Sequence, residues 1–289
     1  MNKFKIPLVS FGVFLIIGLV VWAFRNVMYF YLFTGIGFLD FGTRALVLYF
    51  PKFRQLIRWC LQFTIGSFLL VWLGLVIGVN FQFPQIFFDA YAGVVTGALI
   101  QLVVARLILP FFLGNGFCSR ACWTGFFFEM TNTKKIDKRK IKPRSKLLAW
   151  SYLTTLIVLS VFVAFFWDPG NNVEVRKWAI IVENLFITTL GFILTFFIGS
   201  RAYCRMLCPF LTISGIISPL SLFKITPVSG NQCTHCKLCN VSCPMLIDVN
   251  AYVSNTKRIN DRTCIVCERC ISACKHSVLR LTTKDQLSK

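Results

Sequence analysis

The sequence has few charged residues, few acids among them, and almost no histidine. Charged residues make up 15% of its 289 positions, well below the roughly 25% of an average globular chain. Apolar residues make up 56% and the mean hydropathy is +0.68, which argues against an ordinary soluble domain and excludes a disordered chain. His235 and His276 both lie near the C-terminus, so no apolar span offers a histidine pair for haem.

Signatures of nucleotide-dependent and hydrolytic enzymes are also missing. The chain has no Walker loop, no dinucleotide-binding fingerprint and no nucleophile elbow, so no nicotinamide, flavin or serine-hydrolase site is readable. What remains is an imbalance of charge, because 31 lysines and arginines face 11 acids for a net charge of +20. A membrane protein carries such an imbalance when its basic residues are sorted to one side.

Apolar stretches of about 20 residues, long enough to cross a bilayer, recur along the N-terminal two thirds of the chain. Four are clear and a fifth at the N-terminus is equally apolar: residues 63–79, 91–113, 147–166, 178–199 and 6–24. A signal peptide is the alternative for the fifth, but no small-residue cleavage site follows it, so we expect a retained helix. A sixth stretch, residues 28–50, carries Asp40 and Arg44. Their spacing predicts an ion pair on one face of a return span or an interfacial helix.

Basic residues concentrate on one predicted side of the membrane. Eight of them lie between residues 134 and 146, against the single acid Asp137. The positive-inside rule places this loop, and everything after residue 199, on the cytoplasmic side of a multi-pass membrane protein, for which we expect the bacterial inner (cytoplasmic) membrane. Because these charges adjoin the spans, contact with membrane lipid is favoured over nucleic-acid binding.

Thirteen cysteines are present, and eight of them form two runs with the spacing C-x2-C-x2-C-x3-C. The runs are Cys233, Cys236, Cys239 and Cys243, followed by Cys264, Cys267, Cys270 and Cys274. This spacing is typical of ferredoxins with two [4Fe–4S] clusters, in which the fourth thiolate of each run ligates the other cluster. We therefore predict one ligand set of Cys233, Cys236, Cys239 and Cys274, and a second of Cys264, Cys267, Cys270 and Cys243. Zinc is a weaker alternative, and a reducing cytoplasm disfavours disulfides.

Four more cysteines form two C-x3-C pairs, each after a predicted hairpin of spans: Cys118 and Cys122, then Cys204 and Cys208. Similar sequences precede the two pairs, so the membrane part is interpreted as duplicated transmembrane hairpins. The thiols of a pair lie one helical turn apart, at the expected cytoplasmic boundary. Three interpretations stay open: a third metal or cluster, redox-active thiols, or buried apolar cysteines. Cys60 stands alone.

With these motifs the sequence resembles the membrane-bound iron–sulfur quinol dehydrogenases of nitrate and nitrous oxide respiration (NapH/NosR type) and the related copper-oxidase accessory ferredoxins. The resemblance covers about residues 63–281. Cys204, Cys208 and Pro209 fit the family's C-x3-C-P motif, whereas Trp123 replaces proline in the first copy. It implies an α-helical polytopic membrane protein with a small C-terminal α+β two-cluster ferredoxin domain. The expected parts are an added N-terminal hairpin (1–60), a core membrane domain (61–222) and the ferredoxin-like domain (223–289).

The resemblance implies electron transfer between the quinone pool and a soluble or membrane reductase or cytochrome. Such a quinol dehydrogenase subunit needs a proton acceptor, and Glu183, an intramembrane carboxylate, is the candidate. A carboxylate at a helix end in contact with water is the alternative for Glu183. Cys204 lies 21 positions later, about 31 Å along a straight helix. Two other functions stay open: an accessory factor that supplies electrons or metal during assembly of a metalloenzyme, and a membrane anchor of a larger redox complex.

Overall fold

The computed structural model describes residues 5–23, 27–91, 93, 95, 97–131, 143–167, 173–228 and 233–283. Most of the predicted basic loop, at residues 132–142, lies outside the described residues. So do residues 168–172, in the link between the last two predicted spans.

Within the described part of the chain, five helices are long and apolar enough to cross a membrane. They are Ile6–Ala23, Val27–Tyr49, Pro51–Val76, Leu147–Phe166 and Ile180–Ile198. The stretch from residue 28 to 50, which the sequence leaves between a return span and an interfacial helix, is thus a helix of 23 residues, about 34 Å long. The chain is a membrane protein on this evidence of length and composition.

The predicted span at residues 91–113 takes a different form. A short helix, Gln85–Tyr91, comes first, and the apolar helix then runs only from Gly97 to Leu113. Gly93, between the two, has a φ of 66°, a left-handed conformation that continues no α-helix. The apolar run in the sequence is therefore longer than the helix it forms.

The first two helices, α1 (Lys5–Ala23) and α2 (Val27–Tyr49), pack as a hairpin. Arg44 Nε donates a hydrogen bond to Asp40 Oδ2 at 2.6 Å, which confirms the predicted ion pair. The Ser10 hydroxyl of α1 donates to the same oxygen at 2.6 Å. Asp40 is buried, so these donors satisfy a carboxylate that would otherwise be costly in an apolar setting.

The remaining helices position the site. They are α3 Arg54–Ser67, α4 Gln85–Tyr91, α5 Gly97–Ile100, α6 Leu109–Leu113, α7 Gly116–Arg120, α8 Trp123–Met130, α9 Pro143–Trp167, α10 Val173–Ile198, α11 Ala202–Met206 and α12 Pro209–Ile217. Short 3₁₀ turns lie at Pro51–Phe53 and Ser218–Leu220. Two segments, Phe68–Val76 after α3 and Gln101–Ile108 before α6, are π-helical. π-Helical turns are rare in proteins as a whole, and those that occur often lie at functional sites.

The C-terminal part is a small α+β unit. Strand β1 (Lys224–Pro227) pairs antiparallel with β2 (Leu279–Thr282), with Lys224 opposite Thr282. Helices α13 (Leu238–Val241), α14 (Val249–Ser254) and α15 (Arg269–Ala273) lie between the strands in sequence. The predicted duplication of the hairpins, and the boundaries at residues 60 and 222, stay predictions.

Candidate functional site

Two loops in the C-terminal part present the motif cysteines on the same backbone. In the first loop (residues 233–239), His235 and Lys237 have φ values of 52° and 57°. In the second loop (residues 264–270), Val266 and Glu268 occupy the same positions with 51° and 60°. Residues other than glycine rarely adopt this conformation. Left-handed residues in such turns aim successive amides at one point, forming a nest of the kind that holds iron–sulfur sites.

Backbone amides of these loops approach the sulfurs. The His235 amide donates to Cys233 Sγ at 3.4 Å, and the amide of Leu238 lowers the pKa of Cys236. In the second loop, the amide of Val266, two residues after Cys264, lowers the pKa of Cys264 and so opposes the rise that burial causes. Hydrogen bonds to sulfur are among the features that set the potential of an iron–sulfur cluster.

The eight cysteines fall into two groups. One cavity is lined by Cys233, Cys236, Cys239 and Cys274. The second group comprises Cys243, Cys264, Cys267 and Cys270. Burial, followed by the nearby charge of Cys267, raises the pKa of Cys243 to about 12. Cys274 of the second run thus lines the cavity of the first run, and the two crossed sets of cluster ligands stay predictions.

The two C-x3-C pairs share one local backbone. Cys122 (φ −74°, ψ 116°) precedes α8, and Cys208 (φ −64°, ψ 114°) precedes α12. Before them, the Cys122 amide donates to the Phe117 carbonyl at 3.2 Å, and the Cys208 amide donates to the Tyr203 carbonyl at 3.1 Å. Pro209 occupies the first turn of α12, where its missing amide costs nothing. Trp123 takes that place in α8 without changing the backbone of the preceding cysteine.

The fold brings these four thiols together. Cys118, Cys122, Cys204 and Cys208 line one cavity of about 80 Å³, the thiol cavity, and Glu183 lines it too. The straight-helix separation of Glu183 from Cys204 therefore does not hold. Helix α10 ends at Ile198, and Gly199 (φ 119°) and Arg201 (φ 51°) then reverse the chain. In the described part of the chain, no three His, Cys, Asp or Glu side chains are close enough to bind a single metal ion.

A buried guanidinium lies beside the thiols. Arg106 Nη1 donates to Cys118 Sγ at 3.1 Å. Its guanidinium lies 4.5 Å from the ring centre of Phe117 and 4.7 Å from that of Phe210, within the range of a cation–π contact. The hydroxyl-bearing side chains of Tyr152 and Tyr203 also line the thiol cavity. The cavity thus combines apolar walls with a small number of polar groups, as ligand sites usually do.

A buried carboxylate joins the membrane part to the C-terminal unit. Glu129 of α8 accepts hydrogen bonds from Arg58, from Arg201 at 2.6 Å and from Arg269 at 3.5 Å. Burial would raise the pKa of Glu129, but the charges of Arg201, Arg58 and Arg269 outweigh burial and lower it to about 2. Arg201 Nη1 also donates to the Cys118 carbonyl at 2.9 Å. One ionic network therefore contacts both the thiol cavity and the helix after the second loop.

The second loop rests directly on the membrane part. Asn115 Nδ2 donates to the Cys264 carbonyl at 3.3 Å, and Gln55 Nε2 donates to the Cys267 carbonyl at 3.3 Å. A single apolar core contains Cys118, with Cys204 and Cys208 packed against it, and the cysteines of the second group. Cys233, Cys239 and Cys274 of the first group also pack against this core.

The sequence does not single out Glu129 or Arg201 as part of this site. A signal for Glu129 exists, because it is the only acid in the phenylalanine-rich stretch that follows Cys122, and such an acid needs a partner. Arg201, in the turn before Cys204, carries no comparable signal. Its contact with Glu129 joins residues 72 positions apart.

Family models match three segments of the chain. A model described as a 4Fe-4S dicluster domain matches residues 228–275. A model described as a 4Fe-4S binding domain matches twice, at residues 95–143 and 182–226. The first match contains both loops and all eight cysteines of the two runs. Each of the other two matches contains one C-x3-C pair. Iron–sulfur binding is therefore a property of the matched domains.

Curated relatives are similar over a large part of the chain. An uncharacterised protein of Methanocaldococcus jannaschii is 28% identical over 200 residues, 66% of this chain and 74% of the relative. The putative electron transport protein YccM of Escherichia coli is 26% identical, over 62% of this chain and 54% of the relative. The ferredoxin-type protein NapH of Haemophilus influenzae is 25% identical, over 64% of this chain and 69% of the relative.

No solved structure shows significant similarity to the chain. The family models, the names of these relatives and the long apolar helices agree with one another. They show that this chain is similar to ferredoxin-type electron-transport proteins, and they support a membrane polyferredoxin-type family for it.

Proposed function

We propose that the chain passes electrons between the membrane quinone pool and a redox partner, a soluble or membrane reductase or cytochrome. The observation that carries this proposal is the thiol cavity, which holds four cysteines and a carboxylate within the membrane part. The same apolar core continues from these cysteines to the second cysteine group. A chain of redox sites with a substrate pocket at its inner end is what quinol-linked electron transfer requires.

Twelve cysteines supply the cofactor sites in this proposal. One [4Fe–4S] cluster is held by Cys233, Cys236, Cys239 and Cys274, and the other by Cys264, Cys267, Cys270 and Cys243. Each bound cluster supplies one-electron transfer. A third cluster is held by Cys118, Cys122, Cys204 and Cys208. Their convergence on one cavity supports a ligand role for these four over that of unconnected buried cysteines.

The quinol head group binds on the Glu183 side of the thiol cavity in this proposal, next to the cluster that the four cysteines hold. Oxidation of a quinol to a quinone releases two electrons and two protons. In this proposal the Glu183 carboxylate, which lines the cavity, accepts one proton and the second proton is released to solvent, while the two electrons pass one at a time to the clusters. An acid within a membrane span is costly to keep unless it has such a task. Tyr152 and Tyr203 supply hydroxyls that can hydrogen bond the quinol oxygens.

The orientation in the membrane follows from the basic loop at residues 134–146. Its charge places the loop and the C-terminal unit in the cytoplasm of a bacterial inner membrane. The clusters of the C-terminal unit would then deliver or receive electrons on the cytoplasmic side. Cys236 of the first cysteine group is exposed at the protein surface. The first group is therefore the contact point for the partner in this proposal.

Anaerobic reconstitution tests the proposal. The full chain, with iron and sulfide incorporated, is mixed with a short-chain quinol, and cluster reduction is followed by absorbance and electron paramagnetic resonance. We expect reduction by the quinol and about twelve irons per chain. About eight irons would refute the third cluster, and no reduction by any quinol, with reduction by dithionite intact, would refute the function.

A further inference from the structure

A second cavity, of about 230 Å³, lies where the hairpin of α1 and α2 meets the C-terminal unit. Five arginines line this arginine pocket: Arg44, Arg54, Arg58, Arg120 and Arg280. Glu268 is the one acid among the lining residues that the structure describes. The pocket is separate from the thiol cavity, and Cys267, a proposed ligand of the second cluster, lies at its edge.

The carboxylates around the arginine pocket are shared among several cations. Arg120 bonds both Asp40, at 3.1 Å, and Glu268, at 2.9 Å. Asp40 also pairs with Arg44, and Glu268 also pairs with Arg54 at 3.6 Å. Across the described ion pairs here and at Glu129, six arginines share three carboxylates. The pocket therefore has an excess of positive charge.

A further observation points to a missing anion. Arg54 Nε is buried and, within the part of the chain that the structure describes, has no hydrogen-bond partner. A buried donor of this kind is costly unless a bound group accepts from it.

The pocket lies at one end of three membrane helices. Its apolar wall comes from Ile6 and Pro7 at the start of α1, Val47 and Leu48 at the end of α2, and Ile57 at the start of α3. Basic pockets between membrane helices at the cytoplasmic side bind the head groups of anionic lipids. Arginine forks match the oxygens of a phosphate group by paired hydrogen bonds.

We propose that the arginine pocket binds a phosphate group, carried by an anionic phospholipid or present as free phosphate. Three of its arginines, at positions 44, 54 and 58, precede residue 95 and so lie outside all three segments that the family models match. The N-terminal hairpin thereby gains a role as one wall of an anion site.

The test measures binding to the purified, delipidated full chain with its clusters intact. The probes are dioctanoyl phosphatidylglycerol, dioctanoyl phosphatidylcholine and inorganic phosphate, and native mass spectrometry counts what is bound. We expect phosphatidylglycerol, phosphate or both to bind more tightly than zwitterionic phosphatidylcholine. Binding of phosphatidylglycerol alone identifies a lipid as the source, whereas binding of inorganic phosphate identifies the free anion.

Variants separate the arginine pocket from general charge. Arg54→Gln together with Arg280→Gln removes two partly exposed pocket cations, and we expect about tenfold weaker binding from the lost charged hydrogen bonds. Arg262→Gln, an exposed arginine outside the pocket, is the matched control and should bind like the original chain. If the double variant loses its iron, the single variant Arg280→Gln replaces it in the binding test, because Arg280 lies on the exposed side of β2.

The proposal is overturned if the original chain prefers neither anionic probe to phosphatidylcholine. It is also overturned if the pocket variants and the Arg262→Gln control bind equally. Quinol-driven reduction of the clusters is measured separately, so failure of this anion site and failure of the electron-transfer proposal give different results.

Discussion

Replacing Glu129 with glutamine tests the ionic network that joins the two parts of the molecule. The substitution keeps the shape of the side chain and removes its charge. Glu129 and Arg201 are each 0% exposed and Arg58 is 3% exposed, so the Arg58 and Arg201 guanidiniums would lose their shared counter-charge out of contact with water. A carboxyl pKa held at about 2 instead of 4.5 corresponds to about 3 kcal/mol. Breaking a buried pair by removing one partner costs a similar amount, about 3–5 kcal/mol.

Since the folded-state pKa of Glu129 is lowered, this contribution is complete at pH 7. It would be lost only as the pH falls below about 4.5 towards 2. We expect Glu129→Gln to lower the free energy of unfolding at pH 7 by about 3 kcal/mol. The measurement is denaturant unfolding of the full chain in detergent.

Glu268→Gln is the comparison, because Glu268 (11% exposed) and its partners Arg54 (23%) and Arg120 (14%) are less deeply buried than Glu129, Arg58 and Arg201. We expect a smaller loss there. A loss at Glu129 below about 1 kcal/mol, the value of an exposed pair, would refute the interpretation of a buried network that joins the two parts.

Three other predictions concern the sites and the packing. Glu183→Gln should slow cluster reduction by quinol at least tenfold while leaving iron content and reduction by dithionite unchanged; an unaltered quinol rate would exclude Glu183 as the proton acceptor. Cys243→Ser should remove about four irons and leave the signal of the first cysteine group, whereas Cys60→Ser should remove none; loss of the first group's signal instead would contradict the crossed ligand sets. Gly191→Ala would place a methyl group against the ring of Phe128 and should destabilise the chain by about 1–3 kcal/mol, whereas Gly35→Ala in α2, with open space around it, should be neutral or stabilising; equal melting temperatures for the two variants would contradict the packing of α8 on α10.

The parts that the sequence predicts well are those with local causes. Apolar length fixes helices such as Leu147–Phe166, because hydrocarbon thickness sets a simple requirement. The spacing of the eight ferredoxin cysteines predicts both groups, because each loop and the short helix after it dictate which sulfurs converge. The pairing of Asp40 with Arg44 also follows from helical spacing alone.

The parts that the sequence misses depend on the fold. The thiol cavity joins Cys118 to Cys204 and Glu183 because the chain reverses at Gly199 and Arg201. A count of residues along a straight helix contains no such turn. The arginine pocket is built from positions 44, 54, 58, 120 and 280, which no spacing rule connects. Its charge excess becomes visible only when the helix ends and the second loop are placed together.

The central claim is that electrons pass between quinol and the C-terminal unit through the four thiols. It is tested most directly by comparing the original chain with the variant Cys204→Ser/Cys208→Ser, each reduced once by a short-chain quinol and once by dithionite. We expect the variant to keep the two clusters of its C-terminal unit and their reduction by dithionite, and to lose reduction by quinol. Equal rates of reduction by quinol in both proteins would contradict the claim and favour an accessory role for these thiols.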